Sequence, residues 1–203
     1  MPDQLPTSPA FQRVNMKSTQ PNLVTISTSG RKQVKTQQSQ FFSFTATYPP
    51  MTRAQYGPIA AHIMKQKGSV TDFEVILPEF STTNGALTTQ LVELVNSETV
   101  GATVIELKSS VGSVANLTGA LKAGDYVRFE GFTKVYMVTA DVNFSSGTAT
   151  MNIEPGLLNA VAADKDLDYK DVPFTVFLEN PVQEFQTGLA NIVQYELDMR
   201  EAI

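Results

Sequence analysis

The sequence predicts a mainly β chain carrying a single helix, and three observations predict it. Phe42, Phe44, Ala46 and Tyr48 alternate with Ser43, Thr45 and Thr47, the two-residue period of a half-buried strand. The stretch around residue 60 carries a helical period: Tyr56, Ile59, Ala60, Ile63 and Met64 fall on one stripe. The end of the chain alternates again, with Val193, Tyr195 and Leu197 against Gln194, Glu196 and Asp198. The expected architecture is a split β-barrel or sandwich over residues 11–80 plus 171–203. A helix at about 52–67 packs on it, and a small β-barrel domain is inserted at 81–170.

Taken in order, residues 1–10 are polar and proline-rich, and are expected to form a flexible arm without the apolar core of a signal peptide. Asn22 to Thr28 reads as a strand, Ser29-Gly30 as a turn, and Gln33 to Phe44 as the hairpin partner. The Gln-rich part of that partner fits an exposed edge or a loop. Pro49-Pro50 stops the next strand, since proline donates no ladder hydrogen bond.

Thr52 with Gln55 fits a capping box at the helix start, while Pro58 inside the pattern suggests that regular helix begins at Gly57-Pro58. Lys65 and Lys67 suit the negative end of the helix dipole, and Gly68 closes it. Phe73, Val75 and Leu77 open another alternating strand. A helix with one apolar stripe must cover a sheet, and its flanking strands are the nearest one.

Residues 78–85 are a loop by composition, and Leu87 to Val95 fits a helix or a strand equally well. From Gly101 short strands alternate with turn residues: Thr103 to Leu107, Tyr126 to Phe129, Lys134 to Ala140 and Thr148 to Ile153. That spacing predicts a small barrel or sandwich. Asp164 to Asp171 reads as a charged connector. Pro173 to Leu178 and Asn191 to Met199 are the last strands. A regular strand at the C-terminus needs a partner, and the N-terminal strands are the economical choice.

The chain has 203 residues, no cysteine and a net charge of −5. Disulfide frameworks and thiol chemistry are therefore excluded, and no apolar run reaches the ~20 residues of a membrane-spanning helix. The charge is unevenly placed. Residues 1–67 carry eight Lys/Arg against Asp3 alone, whereas residues 68–203 carry seven against nineteen Asp/Glu. Two readings are open: two differently solvated surfaces, or a molecule that stacks head to tail on its own copies.

No motif points to catalysis, a metal or a cofactor. His62 is the only histidine, and no nucleophile elbow accompanies it, so it reads as structural or superficial. Asp164-x-Asp166-x-Asp168 imitates a calcium loop, but Tyr169 and Thr175 stand where that loop needs Gly and Glu. It reads as a solvated linker, with a weak ion site including Asp171 as the alternative. Gly119, Gly124 and Gly131 read as turn residues, and the triplets at Asn116 and Asn143 as chance matches to a glycosylation signal. Arg31, Lys32 and Lys35 beside Phe41 and Phe42 hint at nucleic-acid binding, against which stand the acidic total and the core-like alternation of the aromatics.

Three stretches together resemble minor tail proteins of tailed bacteriophages, of the distal-tail or baseplate-hub type. They are Gln40 to Gly68 (with FFSFTATYPPMTRAQYGPIAAHIMKQKG), Ala123 to Leu157 (AGDYVRFEGFTKVYMVTADVNFSSGTATMNIEPGL) and Val172 to Ile203 (VPFTVFLENPVQEFQTGLANIVQYELDMREAI). The resemblance implies a tail-tube type of fold with an inserted domain, and a structural virion protein assembled in the host bacterial cytoplasm. It implies a hexameric ring joining tail tube to tip, touching the tube protein and other hub proteins. DNA would pass through the channel without specific binding, and no membrane is involved. The alternative is a receptor- or carbohydrate-binding module of the tail tip, against which stands the absence of tryptophan. A wall hydrolase lacks a nucleophile–base pair.

Overall fold

The structure is a computed structural model, and it describes residues 3–36, 40–111, 114–182, 186–187 and 192–203. Among these residues there are eighteen strands and one helix. The first part contains β1 (Asp3–Gln4), β2 (Arg13–Thr19), β3 (Asn22–Ile26), β4 (Lys32–Thr36), β5 (Phe41–Thr47), α1 (Arg53–Lys65) and β6 (Phe73–Ile76). The middle contains β7 (Leu91–Leu94), β8 (Val104–Val111), β9 (Asn116–Leu121), β10 (Tyr126–Phe129), β11 (Val135–Val138), β12 (Val142–Ser145), β13 (Thr148–Glu154) and β14 (Leu167–Asp168). The end contains β15 (Pro173–Leu178), β16 (Gln186–Thr187), β17 (Val193–Gln194) and β18 (Glu196–Glu201). The chain is mainly β with one helix, as its sequence predicts.

Contacts divide it into two units: residues 1–19, 40–76 and 174–203, and residues 20–39 and 77–173. The first unit holds a six-stranded sheet in the order β1-β6-β15-β18-β5-β2. The C-terminal strand β18 lies between β15 and β5, with Leu197 opposite Ala46 and Met199 opposite Phe44. Alternation explains the register. Phe42, Phe44 and Ala46 point to the same side as Leu197 and Met199, and all five are buried. Phe174 of β15 meets the rings of Phe42 and Phe44 edge-on at 6.1 and 5.0 Å.

Helix α1 lies on this sheet through Tyr56 against Tyr195 (6.4 Å) and His62 against Phe73 (5.4 Å). Ile59 and Ile63 are fully buried; each contributes roughly 1.5–3 kcal/mol by leaving water. The helix spans Arg53–Lys65, in keeping with the expected 52–67, and the later start at Gly57-Pro58 that Pro58 suggested is not taken. Gln55 Oε1 accepts from the Thr52 N–H and the Thr52 hydroxyl, both at 3.0 Å, and fixes the first turn. Proline at 58 removes one helical hydrogen bond and crowds the carbonyl four residues back, but its second clash, with the Cβ of the preceding residue, is absent because Gly57 has none. The expected stripe is also corrected. Met64 is 67% exposed, and His62 and Gln66 are buried beside Ile59 and Ile63.

Two further expectations change here. Of the arm expected over residues 1–10, the described part is anchored: β1 pairs in parallel with β6, Leu5 N–H donates to the Glu74 carbonyl at 2.8 Å, and Leu5 is 2% exposed. One buried leucine and two ladder positions hold it. The partner strand expected over residues 33–44 is two strands. β4 pairs with β3, and β5 pairs with β2 and β18. Part of the Gln-rich stretch, residues 37–39, lies outside the described residues.

In the second unit, residues 77–173 build a nearly closed barrel. Pairing runs β7-β8-β13-β11-β10-β14, all antiparallel. The circuit returns to β7 through a bridge between Glu93 and Asp166 and through Leu94, whose N–H and carbonyl bond Lys165 and Asp164 at 3.1 Å. Closure removes the exposed edges that invite aggregation. Strand β12 turns into β13 at Ser146-Gly147, both at positive φ, and pairs on its other side with β9. Val92, Leu94, Ile105, Leu107, Val127, Phe129, Val138, Met151, Ile153 and Leu167 belong to one buried cluster.

The connector expected over Asp164 to Asp171 is instead part of this barrel, with Leu167 and Tyr169 buried and β14 inside it. The stretch between Leu87 and Val95 resolves as strand β7, and Gly119, read as a turn residue, lies within strand β9. Gly85 lies against the β9 backbone: a Cβ there would come 2.1 Å from the Ala120 carbonyl oxygen.

Candidate functional site

Strands β3 and β4 form a two-stranded hairpin closed by Ser27 to Arg31, with Gly30 at φ +78°. Ser27 N–H donates to the Arg31 carbonyl at 3.0 Å, and Gly30 N–H to the Ser27 carbonyl at 2.8 Å. Val24 stands opposite Val34, Ile26 opposite Lys32, Leu23 opposite Lys35 and Thr25 opposite Gln33. Facing pairs share a side, so one face carries Val24, Val34, Ile26 and Lys32. The other carries Leu23, Thr25, Gln33 and Lys35.

Both faces are in solvent. Leu23, Val24, Ile26 and Val34 are 49–69% exposed. A hairpin of two strands is marginal by itself in water, and apolar side chains clustered in solvent mark a contact surface. Its cations have no anion near them: Arg31, Lys32 and Lys35 make no ion pair among the described residues. The sequence contains no Asp or Glu between Asp3 and Asp72. The surface is therefore amphipathic and basic.

A second incomplete element is β2, the last strand of its sheet among the described residues. Its outer backbone edge spans seven residues, with Arg13 and Lys17 exposed along it. Beside it the solvent face of the sheet is polar and mixed in sign. Thr45 and Thr47 hydroxyls donate to Asp198 (2.8 Å) and Glu196 (3.4 Å), and the Arg200 guanidinium lies 3.7 Å over the Phe41 ring.

On the barrel, residues 77–173 hold twelve Asp/Glu against six Lys/Arg. Most of the carboxylates near the β7–β14 seam are matched. Lys108 bridges Glu93 (3.7 Å) and Asp164, Arg128 meets Asp168 (3.2 Å), and Lys165 meets Glu130 (3.3 Å). Asp166 is the exception. Desolvation, with Glu130, Glu93 and Asp168 nearby, pushes its carboxyl above the usual range. A groove of about 330 Å³ opens on the outer side of β8, β12 and β13, lined by Val95, Glu106, Asn143, Ser145, Thr148 and Thr150. Glu106 accepts from the Asn96 amide at 3.1 Å and has no ion pair among the described residues.

The residues singled out in the sequence are scattered by the fold. His62 is buried under Phe73, with Asp3 at 3.6 Å as its nearest acid. Burial lowers its pKa, against a partial pull upward from Asp3. Asp164, Asp166, Asp168 and Asp171 run along the barrel seam and do not converge. Among the described residues no group of three or more His, Asp or Glu could hold a metal. Arg31, Lys32 and Lys35 are on the hairpin, while Phe42 is in the core of the six-stranded sheet. Asn143 accepts from the Gly119 N–H (2.6 Å) at the register shift between β12 and β9, and Asn116 accepts from the Ser146 N–H (3.2 Å) at the β12–β13 turn. No helix of the described residues is long and apolar enough to cross a membrane.

What sequence reasoning missed is the exposure of the hairpin's apolar face. The alternation of Asn22 to Thr36 is the same whether a strand faces a core or a partner. Its one distinguishing signal was the company of Arg31, Lys32 and Lys35 without acids. No protein-family model matches the chain, and no curated protein matches it.

Proposed function

We propose that this chain is a structural subunit of a bacteriophage tail, forming a ring at the distal tail or baseplate hub that connects the tail tube to the tip. The observation that carries the reading is the exposed basic hairpin with its unmatched apolar residues, a surface that asks for a protein partner. The unpaired edge of β2 adds a second place where a neighbour can continue the sheet by main-chain hydrogen bonds. Charge segregation between the hairpin and the acidic barrel segment suits copies joined head to tail. The three stretches that resemble tail proteins supply the biological setting, and with it the tail-tube protein and hub proteins as neighbours.

In this role the chain needs no reacting groups. Its work is to hold geometry: β18 locks both chain ends into one sheet, and α1 stiffens that sheet from one side. Channel-facing polar side chains would let DNA slide without being held.

Negative-stain microscopy of the purified full chain tests the reading, together with proteomic analysis of purified virions. Closed rings of uniform diameter, and the protein present in tails, are expected. A chain that stays monomeric at high concentration and is missing from particles overturns it.

A further inference from the structure

We propose that the Val24/Ile26/Val34/Lys32 face of one copy's hairpin lies on the outer strip of β8, Val104 and Glu106, of a second copy. The inference rests on the reading of this chain as a self-assembling subunit, and it names the two surfaces that meet.

The hairpin face is a small apolar patch with one cation at its end. Val24 and Val34 face each other, and Ile26 is next along β3, opposite Lys32. All four are exposed, so the chain that makes this face does not cover it. The β8 strip offers one apolar side chain and one acid, Val104 and Glu106, followed by Lys108, whose charge is taken up by Glu93 and Asp164. Val104 and Glu106 are both exposed, and they share one side of the strand. Glu106 stands opposite Thr150 at the edge of the groove described above. Unlike Glu93, Glu130, Asp164 and Asp168, Glu106 has no cation of its own among the described residues.

The two strips match in spacing. Val34 and Lys32 are two residues apart on one strand, as are Val104 and Glu106. At ~3.3 Å of rise per residue both pairs span roughly 6.6 Å. Val34 can therefore sit against Val104 while Lys32 reaches Glu106. An apolar contact then supplies the area, and the charge pair sets register and excludes misaligned partners. Hydroxyls of Ser145, Thr148 and Thr150 and the Asn143 amide rim the groove, where the polar ends of the hairpin side chains come to rest.

Each copy carries one donor face and one acceptor strip. The contact is heterologous, so repeating it gives a closed ring or an open filament according to the rotation it imposes.

Charge exchange tests it in the full chain. Lys32→Glu and Glu106→Lys are each expected to weaken self-association about tenfold or more, and the double variant to recover most of it. Sedimentation velocity reads the association, and circular dichroism checks that each variant keeps its fold. Because the chain has no cysteine, Val34→Cys in one preparation and Val104→Cys in another can be mixed with a bismaleimide of about 10 Å reach, the spacing of stacked sheets. A covalent dimer is expected from that mixture, and none when Val70→Cys, exposed on the other unit, replaces Val104→Cys. If the parent chain associates and both charge variants associate equally well, the surfaces are misassigned while self-assembly stands. If the parent chain neither associates nor crosslinks, the docking and the ring reading fall together.

Discussion

The Nδ1 of His62 lies 3.6 Å from Asp3 Oδ2, the same carboxylate oxygen that Lys65 Nζ holds at 2.6 Å. The last turn of α1 and strand β1 are thereby tied together. On the far side of the ring, Gln66 Nε2 donates to the His62 carbonyl at 3.2 Å and stands 3.1 Å from His62 Nε2. An amide N–H₂ can only donate, so Nε2 is the acceptor and the proton of the neutral ring is on Nδ1, facing Asp3.

This arrangement predicts acid sensitivity. Burial holds the His62 pKa below 6.5 in the folded chain. Below pH 6.5 the unfolded chain therefore takes up a proton that the folded one refuses, and stability falls with pH until the lowered native value is reached. Asp3 acts in the same direction lower down, because its carboxyl, bonded by Lys65, is held below 3.8 and loses that stabilisation as it protonates. Melting temperatures between pH 7.5 and 5 should decline in the parent chain and flatten in His62→Gln. His62 is the only histidine, so a decline of equal slope in the variant would exclude it as the cause.

The position of the helix stripe predicts unequal costs at neighbouring residues. Ile63 is buried and Met64 is largely in solvent. Ile63→Ala should lower the unfolding free energy by about 2–4 kcal/mol through lost burial and the cavity left behind. Met64→Ala should change it by less than about 0.5 kcal/mol. Urea titration separates the two, and equal losses would mean that the helix is rotated from its described orientation.

Tyr48 predicts a neutral or favourable deletion. Its ring stacks on Tyr195 at 6.3 Å and meets Phe11 at 4.8 Å, yet its buried hydroxyl has no hydrogen-bond partner among the described residues. Burial accordingly pushes its pKa up. Tyr48→Phe keeps the packing and removes a desolvated donor, so it should leave stability unchanged or raise it by up to about 1 kcal/mol. Tyr169→Phe is the control. That hydroxyl donates to the Gln90 carbonyl at 2.6 Å, and its loss should cost about 1 kcal/mol. Thermal unfolding of both variants checks the difference, and a clear loss at Tyr48 would contradict the unpartnered assignment.

Local pattern was enough for much of the fold. The alternation of Phe42 to Tyr48 located β5, and that of Val193 to Leu197 located a stretch that the structure divides into β17 and β18. Thr52 and Gln55 located the helix start, although Pro58 argued for a later one. The barrel seam was harder to see. In Asp164 to Tyr169 the buried Leu167 and Tyr169 alternate with carboxylates, and the charge concealed the period. Strand β9 was hidden because Gly119 reads as a turn when β12, which pairs with Leu117 and Leu121 on either side of it, is unknown. The candidate surface was half visible: the cations of the hairpin stood out, but the exposure of Val24, Ile26 and Val34 did not.

The sequence by itself determined a mainly β chain with one capped helix, a C-terminal strand in need of a partner, and a basic beginning followed by an acidic remainder. Those properties belong to periods and charges that neighbouring residues carry without help. Only the tertiary structure decided that Leu197 lies beside Ala46, that Asp166 closes a barrel against Glu93, and that the hairpin's valines have no core to enter. Burial is a property of what surrounds a side chain, and a strand's own residues do not state what lies across from them.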